Sequence, residues 1–86
     1  MKIQGALIKE QGVTFAVVIV KKRVIDNNSE ANQIVLSLHS VFPDVPVVLM
    51  AQGHMGRTTY YGRRDIARFL ANVPLQAIPW REYTVS

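Results

Sequence analysis

Val13-Thr14-Phe15-Ala16-Val17-Val18-Ile19-Val20 is rich in β-branched residues and apolar at both parities. A strand sends alternate side chains to opposite faces, so this one must be covered on both. Pro46-Val47-Val48-Leu49-Met50-Ala51 is a second two-sided apolar run, too short for a helix, bounded by turn residues and carrying proline at its first position. Both read as interior strands of one sheet. A single helix pattern lies between them, which predicts parallel neighbours joined by a right-handed crossover. Asn27 and Glu30 have the spacing of a capping box at the start of that helix. Ala31, Ile34, Val35, Leu38 and Phe42 then form one amphipathic stripe, expected to end before Pro43.

Working outward, residues 2–9 and 13–20 flank Glu10-Gln11-Gly12, where glycine can supply the positive φ of a tight reversal, and read as an N-terminal β-hairpin. Gly53-His54-Met55-Gly56 is a turn leading into a strand, Arg57 to Tyr61, that Gly62 breaks. Ile66, Phe69, Leu70 and Val73 give a second helix over Arg64 to Asn72, stopped by Pro74. The tail from Leu75 to Ser86 reads either as a short edge strand or as an irregular segment packing Trp80 on the core. No repeat or linker divides the chain, so residues 1–86 form one domain. The predicted class is α/β: a mixed sheet of four or five strands, two helices and the N-terminal hairpin.

Composition narrows the chemistry. The chain has 86 residues, 49% of them hydrophobic, enough for one core and too few for two. With no cysteine, disulfides, zinc-thiolate sites and cysteine nucleophiles are excluded. The longest apolar run, Phe15 to Val20, falls far short of the roughly 20 residues of a membrane helix. Lys2, Lys9 and Glu10 bracket too few apolar residues for a secretory leader, so the expected compartment is cytoplasmic, with no membrane partner. A formal charge of +4 favours anions without selecting one. The Lys21-Lys22-Arg23 run reads as a solvated strand end that discourages edge pairing.

The order strand, helix, strand, strand, helix from Phe15 to Val73 resembles the C-terminal half of the thioredoxin and glutaredoxin fold. Val45-Pro46-Val47-Val48-Leu49-Met50 is similar to that family's strand beginning at its cis-proline. Tyr61-Gly62-Arg63 and the helix positions Ile66, Phe69 and Leu70 continue the likeness. The family's redox chemistry resides in a Cys-x-x-Cys or Cys-x-x-Ser turn upstream of the matched segment, where this chain has a hairpin and no cysteine. The resemblance therefore implies architecture and no catalytic role.

Two histidines, His39 and His54, come with no local nucleophile arrangement and no carboxylate spacing suited to a metal. The expectation is a non-enzymatic domain without metal or cofactor. Arg57, Tyr60, Tyr61, Arg63 and Arg64 form the sharpest candidate binding cluster, basic residues interleaved with aromatics near a helix start, suited to a phosphate or to single-stranded nucleic acid. Against it, Tyr60 and Tyr61 must point to opposite faces of a strand, and Asp65 can neutralise a neighbouring arginine. The leading expectation is protein association, as a homodimer. If both helices lie on one face, the other leaves apolar side chains for a second copy to cover, face to face or through exposed strand edges. With helices on opposite faces the demand weakens but does not vanish, and phosphate or single-stranded nucleic-acid binding stands as the alternative.

Overall fold

Burial follows the two apolar runs. The computed structural model describes residues 2–10, 12–53 and 56–85. Its elements are β1 (Lys2–Glu10), β2 (Val13–Ile19), α1 (Lys22–Ile25), α2 (Asn28–Leu38), β3 (Val47–Gln52), β4 (Thr58–Tyr61), α3 (Arg64–Ala71) and β5 (Arg81–Thr84), with a 3-10 turn at Leu75–Ala77 before β5. One five-stranded mixed sheet has the order β4-β3-β2-β1-β5. The hairpin pair β1/β2 is antiparallel, β2 and β3 are parallel, and β4 and β5 lie antiparallel on the two outer sides. The chain is therefore a single α/β domain.

Two-sided apolarity places β2 and β3 in the interior. Phe15, Ala16, Val17 and Val18, and the whole of Val47 to Ala51, are buried. On one face, Ala16, Val18, Val47, Leu49 and Ala51 meet Val24 and Ile25 of α1, Ala31 and Leu38 of α2, and Phe42. On the other, Ala6, Phe15, Val17, Val48 and Met50 meet Ile66 and Leu70 of α3 and Ile78. The helices thus cover opposite faces, and the bare sheet face that would call for a partner is absent among the described residues.

Several boundaries differ from expectation for local reasons. Lys22 and Arg23 belong to a single helical turn rather than a strand end, and the turn carries Val24 and Ile25 into the core beside Val47, Leu49 and Ala51 of β3. Helix α2 ends at Leu38 rather than near Phe42. Ser37 and Ser40 turn their hydroxyls onto the Gln33 and Ser37 carbonyls, the local competition that weakens helix ends. Phe42 still reaches the core, its N–H bonded to the Leu38 carbonyl at 2.8 Å and its ring edge-on to Tyr83 at 4.8 Å. The tail resolves into the edge strand β5, with Trp80 donating its indole N–H to the Leu75 carbonyl at 3.1 Å. The Val45–Pro46 bond is trans.

The predicted cap is in place, with Asn27 Oδ1 accepting from the Glu30 N–H at 3.1 Å. Asn27→Ala is expected to lower stability by about 1 kcal/mol, and Asn27→Asp to keep most of it. Thermal denaturation of the two variants checks this.

Candidate functional site

The five candidate residues fall on one short strand and its flanks, and the strand separates them. Arg57 precedes β4 where β3 ends, beside Gln52 and Gly53. Arg63 and Arg64 follow β4 where β3 begins, and the intervening Gly62 lies against Val47 and Val48. At about 3.4 Å per residue, Arg57 and Arg63 stand roughly 20 Å apart along the strand. The tyrosines diverge as well. Tyr60 pairs with Met50 and packs on the α3 side, where burial pushes its phenol pKa up. Tyr61 pairs with Leu49 on the α2 side and donates its hydroxyl hydrogen bond to Asn32 Oδ1.

Arg63, which stands just before α3, grips Asp65 with two bonds, Nε to Oδ1 at 3.1 Å and Nη2 to Oδ2 at 2.7 Å. The hydrogen-bonded guanidinium holds the Asp65 carboxyl below its ordinary range, and Asp65 raises Arg63 in return. Both side chains are more than half exposed, so the pair contributes little to stability. It does offset the positive charge at this helix start. Arg57 and Arg64 have no carboxylate partner among the described residues. His39 is exposed at the end of α2, and His54 lies outside the described residues.

Two surface concavities flank the sheet. One, of about 220 Å³, is lined by Glu10, Val13, Phe15, Asp65, Ile66 and Phe69. The other, of about 400 Å³, is lined by Ile3, Val18, Ile19, Val20 and Ile34 together with Lys2 and Lys21. Neither lining brings together a nucleophile and a base. The large exposed apolar side chains are also dispersed. Leu7 lies on the α2 face of β1, Val13 and Ile19 at opposite ends of β2, and Leu36 on α2.

What distinguishes the molecule is an unequal pair of sheet edges. On β5, Arg81 and Glu82 place charges on the edge and Pro79 stands just before it, the usual guards against edge pairing. On β4, Thr58-Thr59-Tyr60-Tyr61 has no charge and no proline.

Hydrogen-bond parity shows which backbone groups this edge presents. The Val20 N–H bonds to the Met50 carbonyl, so the even residues of β3 turn toward β2 and the odd ones toward β4. Gly53 N–H bonds to the Arg57 carbonyl, which makes that facing pair, and by alternation Ala51/Thr59 and Leu49/Tyr61, the bonded ones. Thr58 and Tyr60 therefore turn N–H and C=O outward, away from the sheet. Reasoning from the sequence located the strand but missed its edge, because edge position depends on strand order, which no local pattern encodes.

The class that fold and edge define is a small α/β domain with one charged and one uncharged sheet edge. No protein-family model, curated protein or solved structure matches this chain. Among the described residues, no helix is long and apolar enough to cross a membrane, and no cluster of side chains is suited to a metal ion.

Proposed function

We propose that this chain is a non-catalytic domain that works by protein association, as a homodimer formed through the free edge of β4. The observation that carries this reading is the outward-facing backbone of Thr58 and Tyr60 on an uncharged edge strand. Such groups are a template for another strand, whereas the charged β5 edge opposes one. With α1 and α2 on one face and α3 on the other, the motive for face-to-face association is weakened, while that for edge pairing is unchanged.

Sedimentation at micromolar concentration is expected to find a dimer. Thr58→Pro removes an outward N–H without touching the ladder to β3, a position where an edge strand tolerates proline. A two-fold dimer loses that bond twice. At about 1 kcal/mol net per bond, dissociation should rise roughly 30-fold with the circular-dichroism spectrum unchanged. A chain that sediments as a monomer throughout, or a Thr58→Pro variant that dimerises as tightly as the parent, would count decisively against the reading.

A further inference from the structure

We infer that two copies join β4 to β4 in one antiparallel register, with Thr59 on the two-fold axis, Thr58 facing the partner copy's Tyr60, and Arg57 facing the partner copy's Tyr61. The inference rests on the proposed edge pairing and specifies its geometry.

Outward groups must meet outward groups, and within β4 these belong to Thr58 and Tyr60. Setting Thr58 against Tyr60 satisfies both residues on both strands, which makes four backbone hydrogen bonds. Setting Thr58 against Thr58, or Tyr60 against Tyr60, makes two within the strand. The second of these alternatives brings Arg57 toward Arg63, whose charge Asp65 already offsets, so the count of backbone bonds is what separates the registers.

The favoured register also gives Arg57 a partner. Arg57, Thr59 and Tyr61 share the α2 face of the sheet, since Thr59 and Tyr61 pair with Ala51 and Leu49 of the core on that side. Arg57 and the partner copy's Tyr61 then form a non-hydrogen-bonded pair, the kind whose side chains approach most closely, with the guanidinium beside an aromatic ring. The two-fold repeats this contact once more, on the far side of the axis. The centre of the interface, Thr58 to Tyr60, is uncharged.

The natural absence of cysteine makes the test clean. A non-hydrogen-bonded antiparallel pair has Cα atoms about 4.5 Å apart, inside the range a disulfide spans. Under mild oxidation Thr59→Cys is expected to give a covalent dimer. Thr58→Cys and Tyr60→Cys, whose own copies are offset by two residues, should give at least tenfold less. Arg57→Ala should weaken the dimer about tenfold by sedimentation, from two lost cation–aromatic contacts, while Arg63→Ala leaves it unchanged.

The outcomes separate the two claims. If the parent chain is monomeric, the edge reading fails and the register with it. A dimer that cross-links through Thr58→Cys or Tyr60→Cys in preference to Thr59→Cys keeps the edge and overturns the register. A dimer in which none of the three cysteines cross-links, although each variant retains its circular-dichroism spectrum, places the interface elsewhere and overturns both.

Discussion

Phe15→Ala is expected to destabilise the fold by about 3–5 kcal/mol, the range for truncating a buried phenylalanine. Phe15 is 2% exposed, in the layer between the sheet and α3. Its ring meets Phe69 edge-on with centroids 6.0 Å apart and planes at 79°. Ala6, Val17, Val48 and Met50 stand on the sheet beneath α3, fixed by the β1/β2 and β2/β3 ladders, so the space left by the ring cannot close by a shift of one strand. A chain of 86 residues has roughly 4–13 kcal/mol of total stability, and the loss removes a large fraction of it. Urea unfolding should show the midpoint falling at constant slope. Phe69→Ala should cost less, since Phe69 is half-buried, and the double variant should fall short of additivity by about 0.5–1.5 kcal/mol, the edge-to-face term. A loss below about 1.5 kcal/mol for Phe15→Ala would show that α3 does not hold this layer shut.

The interior of the molecule was legible in the sequence and its periphery was not, for a physical reason. Interior strands announce themselves because both parities must be apolar, and Phe15 to Val18 and Val47 to Ala51 satisfy that condition residue by residue. Helix α2 was legible at its start, where Asn27 caps, and along Ala31, Ile34, Val35 and Leu38. Its end was not, because the turn at Val41 and Phe42 continues the apolar spacing after the helix has stopped. Helix α1 is a single turn and offers no period to detect. The basic-aromatic cluster was visible as composition, yet neighbours in sequence part company along a strand: Arg57 and Arg63 go to opposite ends, Tyr60 and Tyr61 to opposite faces. The free edge was the least accessible feature. Thr58 to Tyr61 would read the same whether a further strand lay beyond it or not.

Gly62→Ala should be as damaging as a core truncation although it adds a single methyl group. Gly62 has φ +142°, a conformation that costs other residues about 1–3 kcal/mol. A Cβ there would also lie 3.0 Å from Val48 Cγ2, 3.2 Å from the Val47 carbonyl oxygen and 3.2 Å from Val48 Cα. Two of those three atoms are backbone of the central strand β3 and cannot rotate away, so overpacking adds a further 1–3 kcal/mol or so. The total of about 2–6 kcal/mol corresponds to a fall in melting temperature of at least about 8 °C for a domain of this size. Gly12→Ala provides the control. Its φ is +80°, but nothing lies within 4 Å of the added atom, so the cost there is the conformational term alone, about 1–2 kcal/mol. The pair also separates fold from association. Gly62 immediately follows Tyr61, so forcing it away from Val47 and Val48 pulls β4 out of register with β3 and disturbs the edge that Thr58 and Tyr60 present. Gly12 sits at the β1–β2 turn, two strands in from that edge. At temperatures where both variants remain folded, Gly62→Ala should dimerise more weakly than the parent and Gly12→Ala equally well. Equal dimerisation by both would mean that the interface does not use β4.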